Sequence, residues 1–336
     1  MARPQTDMAR QTHAECSGCS LCLLVCPVWR RTRDLQMTPH GRNKALQHGA
    51  TLADIAPSVE SCTLCGACEP VCPENIDLVD MLMKLRRDLP PSTVAMNLHA
   101  QMQARGPLPV FGRTPTDTVL LATVTHKWNP STLALIRQWL GGDGHISIEH
   151  DGGADIALAL EIGADIPPAR LERFLAPLRL RRKIIVSDGL LIRSLRAWLP
   201  QAQLVSLGVA LSSIDALRAG LGAGDLYVIE SRAYHCDHAA LVNYYDELRA
   251  QTGCTLNLDL QRIAIPVSGT GMRRSIGTEP RTDEAQVEWL LKGRQISRIV
   301  IESELDRRTL ELCCAIPVVH LAEIAARPAA TSWTAS

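Results

Sequence analysis

Eight of the chain's 12 cysteines lie between Cys16 and Cys72. They form two runs, Cys16, Cys19, Cys22 and Cys26, then Cys62, Cys65, Cys68 and Cys72. Each run reads C-x-x-C-x-x-C-x-x-x-C-P and closes on Pro27 or Pro73. On a tight loop such a run can turn its first three sulfurs toward one centre. Gly18 and Gly66 stand inside the loops, where the backbone must turn sharply. The first residues, MARPQTDMARQTHAE, carry no apolar core for a secretory signal and no twin arginine. The expectation is therefore a cytoplasmic protein whose thiols serve metals or catalysis rather than disulfides.

The spacing is that of a bacterial ferredoxin, in which the first three cysteines of a run hold one iron–sulfur cube and the fourth reaches the other. Crossed ligation then predicts one [4Fe–4S] cluster on Cys16, Cys19, Cys22 and Cys72. The second is predicted on Cys62, Cys65, Cys68 and Cys26. Soft thiolates suit cluster iron. Two zinc ribbons are the competing reading, but zinc takes paired C-x-x-C knuckles and leaves the third C-x-x-C step without a role. The loops offer no acid, base or open metal position, so this region is expected to move electrons and to catalyse nothing by itself.

The rest of the composition narrows the classes. Lys+Arg and Asp+Glu are 35 each, which excludes the strongly basic surface of a phosphate-neutralising nucleic-acid binder. With 46% hydrophobic and 21% charged residues, the 336-residue chain can bury ordinary cores in two or three domains. No apolar run is long enough for a membrane span, and Val119–Val124 and Ile184–Ile192 read as buried strands. Any membrane attachment is expected to come through a partner.

Between the cysteine runs, a helix after Cys26, a turn at Pro39–Gly41 and a second helix fit best. After Cys72, Asp77 reads as an N-cap. Leu78, Met81, Leu82 and Leu85 form one apolar face, and Pro90 and Pro91 stop the helix. Two diverged copies of one unit follow. Strand–helix pairs begin at Asp117 and Asp225 and recur at Lys183 and Arg298, and similar stretches from Gln203 and Pro317 close each copy, at an offset of about 110 residues. The alternation implies parallel strands in an α/β arrangement. The expected fold is α+β overall: a helical two-cluster ferredoxin domain (1–92), a linker (93–115), two α/β repeats (116–220 and 221–328) and a tail (329–336).

The segments CSGCSLCLLVCPVWR, TPHGRNKALQHG and CTLCGACEPVCPENIDLVDM, within residues 12–90, resemble the iron–sulfur subunits of glycolate oxidase, lactate utilisation and anaerobic glycerol-3-phosphate dehydrogenase, and heterodisulfide reductase subunits. The resemblance implies a C-terminal pair of cysteine-rich repeats, the CCG domain, that carries a further iron–sulfur centre. This chain departs from that pattern. The Cys-Cys-Gly positions fall at His150-Asp151-Gly152 and Val267-Ser268-Gly269, and the later cysteines fall near Asp188–Leu191 and Ser303–Asp306. Only Cys236 lies near an expected ligand position. The α/β half is thus expected to keep the scaffold without the cofactor.

Other candidates have plainer readings. Cys254, Cys313 and Cys314 read as small buried hydrophobes. His235-Cys236-Asp237-His238 is dense in ligand types, but a metal needs three or four convergent ligands, and a turn at a strand end is the default. His150-Asp151 could form an acid–base pair, although adjacent side chains seldom meet. Gly269 to Arg274, after a strand Ile263–Val267, could cradle a phosphate or flavin pyrophosphate. Arg30, Arg31, Arg33, Arg42 and Lys44, against the single acid Asp34, form either a solvated helix face or a basic surface that steers an acidic partner.

Three functions compete. The first is an electron-transfer subunit between a flavin-dependent dehydrogenase and a membrane cytochrome, quinone-linked protein or other carrier. The second is an oxidoreductase acting by itself on a disulfide or hydroxy acid. The third is a redox-sensing or assembly protein.

Overall fold

Local signals start most helices of the cysteine-rich half. The computed structural model describes residues 12–104, 117–122, 129–141, 147–148, 152–259, 261–267 and 284–324. The first helices are α1 (Leu21–Val25), α2 (Pro27–Thr32), α3 (Pro39–Gln47), α4 (Leu52–Ser61), α5 (Leu78–Asp88) and α6 (Thr93–Ala104). Pro27 opens α2, and Pro39 opens α3 behind Thr38, whose hydroxyl accepts from the Gly41 amide. Proline lacks the N–H that a first helical turn would leave unpaired. Pro39–Gly41 is therefore the start of a helix and not the expected turn. Gly41 is needed inside it, because a Cβ there would stand 2.0 Å from the Leu35 carbonyl oxygen. Thr51 and Asp54 form a reciprocal capping box on α4.

Three further expectations in this region are corrected. The buried face of α5 is Leu78, Val79, Leu82, Met83 and Arg86, rotated from the apolar stripe because the Arg86 guanidinium turns inward. Asp77 holds the N-cap position without a side-chain cap bond, and the Val79 amide instead donates to Glu69 Oε1 at 2.9 Å. The first part of the expected linker is helix α6, which buries Ala95, Leu98 and Met102. These side chains join Val59, Leu64 and Leu82 on one side and Ala159 and Ile162 on the other in a single core.

The remainder forms two parallel sheets of identical plan. The first contains β1 (Thr118–Leu121), β2 (Ser147–Ile148), β3 (Lys183–Val186) and β4 (Gln203–Ser206) in the order β2-β1-β3-β4. Its helices are α7 (Pro130–Trp139), α8 (Ala154–Ile162), α9 (Pro168–Leu178), α10 (Gly189–Trp198), α11 (Leu207–Ser212) and α12 (Asp215–Ala219). The second contains β5 (Asp225–Val228), β6 (Thr255–Leu256), β7 (Arg298–Ile301) and β8 (Val318–His320) in the order β6-β5-β7-β8. Its helices are α13 (Ser231–Cys236), α14 (His238–Thr252), α15 (Glu284–Leu291) and α16 (Glu304–Cys313). Thr118 pairs with Lys183 in the first sheet as Asp225 pairs with Arg298 in the second, so the duplication extends to register.

The central strands read VLL, IIV, LYV and IVI, the continuous apolar runs of strands covered on both faces. The Ile184–Ile192 run is strand only to Val186. Asp188 then caps α10 by accepting from the Leu191 amide at 2.9 Å. Residues 263–267 form no strand; Ala264 makes an isolated antiparallel bridge with Leu258. The two repeats share a core in which Leu120 and Ile185 meet Tyr227 and Val300. No helix among the described residues is long and apolar enough to cross a membrane.

Candidate metal centre

Both cysteine loops take the same backbone path. The left-handed region is occupied at the third and fifth residues of each run: Gly18 (φ 81°) and Ser20 (φ 66°) in the first, Leu64 (φ 54°) and Gly66 (φ 78°) in the second. Each loop thus places one glycine at one of the two positions and holds an ordinary residue in a strained conformation at the other, at a cost of about 1–2 kcal/mol. Residues that persist there are held by their surroundings. The fourth cysteines differ. Cys26 is the N-cap of α2, but Cys72-Pro73 leads into turns, and α5 begins only at Leu78.

The fold draws the eight sulfurs into two groups. Cys16, Cys19, Cys22 and Cys72 line one small pocket, with Asn43, His40 and Ile76 in its wall. Cys26, Cys62, Cys65 and Cys68 line a second, walled by Val28, Leu64, Val79 and Leu82. The thiols interact along the same division. Burial pushes Cys22 up to about 11, with added repulsion from Cys16, Cys19 and Cys72. Cys26 is pushed up to about 12 by burial, with Cys62 and Cys65 adding to it. Burial also raises Cys65 and Cys68. Cys68 feels Cys22 as well as Cys65 and Cys62, so the two groups adjoin. The desolvated thiols of Cys22, Cys26, Cys65 and Cys68 resist ionisation unless a cationic core compensates them, which is what cluster iron supplies. The donor set therefore fits a cubane at each cavity. Among the described residues, no three His, Cys, Asp or Glu side chains are arranged to hold a single metal ion.

The surroundings of the loops are unlike. At the first loop, Lys44 Nζ donates to the Cys16 carbonyl at 2.9 Å and Gln47 Nε2 donates to it at 3.0 Å. Ser17, Cys19 and Leu21 are exposed. At the second, residues 63–67 are all buried. Arg86, 1% exposed, donates to the carbonyls of Val59, Glu60, Cys62 and Glu161. Arg232 donates to the Thr63 carbonyl at 3.1 Å and His235 Nδ1 to the Cys65 carbonyl at 2.6 Å. Glu69, next to Cys68, is ion-paired with Arg193. Burial drives His235 down to about 3, so the imidazole is neutral; its Nε2 accepts from the Ala264 amide at 3.1 Å.

The other candidates resolve as follows. His235-Cys236-Asp237-His238 is the junction of α13 and α14, not a turn at a strand end. His238 approaches the Arg262 carbonyl and stacks edge-on with Tyr234. Cys254 is buried in the core between the repeats, Cys313 and Cys314 pack at the end of α16, and Cys236 packs beside Ala233 and Leu195. His150, Asp151, Gly269 and Gly271 lie outside the described residues. The expected basic face is broken up. Arg42 is buried on Ser58, Lys44 is engaged at Cys16, and Arg30 lies 3.5 Å over the Trp289 ring. Arg31 and Arg33 remain exposed. The sequence analysis singled out neither Arg86 nor Arg232. The one signal for Arg86 was a charged residue in phase with the apolar face of α5.

The grouping of the sulfurs and the loop geometry suit a ferredoxin-like iron–sulfur region in the N-terminal part of the chain. A family model described as a 4Fe-4S dicluster domain matches residues 12–76 and supports an iron–sulfur electron-transfer role. Comparison with curated proteins and with solved structures gave no match.

Proposed function

We propose that this protein is an electron-transfer subunit with two [4Fe–4S] clusters. One would be held by Cys16, Cys19, Cys22 and Cys72, the other by Cys62, Cys65, Cys68 and Cys26. Bound there, each cluster supplies one-electron chemistry. The observation that carries the reading is the sorting of the eight sulfurs into two adjoining cavities along the crossed division. The exposed edge at Cys19, with Leu21 and Leu24 at 41% and 55% exposure, suits contact with a redox partner. The partners we infer are a flavin-dependent dehydrogenase on one side and a quinone-linked protein, membrane cytochrome or other carrier on the other.

The α/β half supports a carrier better than an enzyme. At the C-terminal ends of its strands, where open α/β sheets usually bind ligands, side chains satisfy one another. Arg232 pairs with Glu161 at 3.0 Å, and Glu230 accepts from the amides of Arg232 and Ala233. A Cβ on Gly189 would stand 2.5 Å from the Glu230 carboxylate, so α10 and α13 meet there without spare room. Among the described residues, the space beyond β3 and β5 is taken up by the protein's own polar side chains.

Anaerobic reconstitution of the full chain with iron and sulfide tests the reading. About eight irons per chain with reducible cubane spectra are expected. Cys19→Ser and Cys65→Ser should each disturb one cluster, and the isolated chain should show negligible turnover. Iron-free wild-type protein would overturn the proposal.

A further inference from the structure

The second cysteine loop lies on one short helix of the second α/β repeat. Arg232 and His235 stand one turn apart on α13, and their side chains reach the Thr63 and Cys65 carbonyls at 3.1 and 2.6 Å. Arg232 is 8% exposed and His235 4%. Between these contacts the loop backbone presses on the helix, since a Cβ on Gly66 would stand 2.9 Å from His235 Cβ. His235 is fixed from behind by the Ala264 amide, so its Nδ1–H is the donor to the loop. Arg232 is fixed by Glu161 from α8 of the first repeat. Its charge is secured: burial alone would lower its pKa, but Glu161, Asp188 and Glu230 outweigh that and hold it above its ordinary value. The loop is thus gripped by both repeats, and a fixed cation sits behind it.

We propose that Arg232 and His235 are positioning residues through which the α/β half holds the second loop and sets the potential of the cluster on Cys62, Cys65, Cys68 and Cys26. The proposal rests on the two-cluster reading above and gives the cysteine-poor half a task within it. A cation near a cluster favours the form carrying the extra electron, because reduction adds a negative charge. His235 contributes a neutral hydrogen bond that fixes the loop, as outer partners fix metal ligands. Among the described residues the first loop has no counterpart: the side chains that donate to its Cys16 carbonyl are Lys44 and Gln47, from the cysteine-rich region itself.

The test is an EPR-monitored redox titration of the full-length, anaerobically reconstituted protein. The midpoint to follow is the one missing from Cys65→Ser. Arg232→Met removes the cation and leaves Glu161 unopposed, so that midpoint should fall, by about a tenfold change in reduced-to-oxidised ratio or about 59 mV for one electron. Glu161→Gln, nearly isosteric, removes one of the three carboxylates that oppose the cation and should raise the same midpoint. The other midpoint stays in place in both variants. A purely structural role predicts no such opposition of sign. His235→Ala should let a chelator strip that cluster faster, by about tenfold, and His235→Asn, which keeps an N–H near the Nδ1 position, should restore the rate. If Arg232→Met does not fold, Glu161→Gln decides alone. An unshifted midpoint, or equal shifts in both, overturns the proposal while the relay stands, and an unchanged stripping rate removes His235 from it. Wild-type protein without iron overturns both readings together.

Discussion

In the loop from Cys16 to Cys22, Ser17, Cys19 and Leu21 face solvent, whereas residues 63–67 of the second loop are wholly buried. The spacing of cysteines is the same, and so are the two left-handed positions. The difference lies in what covers each loop. Flexible Lys44 and Gln47 hold the first. Buried Arg86 from α5 and buried Arg232 and His235 from α13 hold the second. The same local geometry is therefore exposed to solvent in one copy and enclosed in the other. Solvent access and neighbouring charge, which tune iron–sulfur potentials, are set outside the motif.

Three changes would break or sharpen this contrast. The largest effect is expected from Arg86→Leu, which leaves the buried carbonyls of Val59, Glu60, Cys62 and Glu161 without their donor. Charge-assisted bonds contribute about 1.5–3 kcal/mol each, so a loss of at least ~3 kcal/mol is expected in denaturant unfolding of the apoprotein. A loss under ~1 kcal/mol would show that the second loop is not held from this side.

Next comes the glycine pair. Gly66→Ala combines left-handed strain of about 1–2 kcal/mol with a clash against His235 of about 1–3 kcal/mol. Gly18→Ala meets only the movable end of Lys44, so strain alone remains. Melting both variants beside the wild type should show Gly66→Ala the worse of the two. Equal losses would mean that the second loop is no more confined than the first.

The smallest effect is a pH dependence placed away from both loops. His320 is fully buried at the end of β8, and burial lowers its pKa; Nε2 faces the Glu302 carbonyl at 3.1 Å and Nδ1 accepts from the Ala322 amide at 3.1 Å. The unfolded chain takes up a proton near the ordinary histidine value of about 6.5, and the folded chain does not. Stability is therefore complete above that value and falls as pH drops below it, by at most about 1.4 kcal/mol per pH unit. His320→Gln should flatten the urea midpoint between pH 7 and 5.5. If the slope survives in that variant, the lost stability resides elsewhere, with buried His235 beside the second loop as the next group to examine.

The cysteine spacing announced the loops, and the strand–helix recurrence announced the duplicated sheets and the helix start at Asn129, whereas the cap at Asp188 fell inside a run read as strand. These are signals carried by short stretches of chain. The turn expected at Pro39–Gly41 failed because its glycine answers to Leu35, a neighbour across a bend. The linker at 93–104 failed because α6 has a weak amphipathic pattern and is helical by virtue of packing between two halves. The basic face failed because charge in a sequence does not reveal which arginines turn inward.

The sequence by itself determined the two cysteine runs, the loops they form and the fold class, because cysteine spacing and apolar periodicity act over a few residues. Only the tertiary structure decided which loop is open and which is enclosed. It also decided that α13, more than 160 residues beyond Cys65, carries the donors to that loop. The reason is physical: burial and electrostatic surroundings are sums over groups brought together from distant parts of the chain, and no local pattern encodes such a sum.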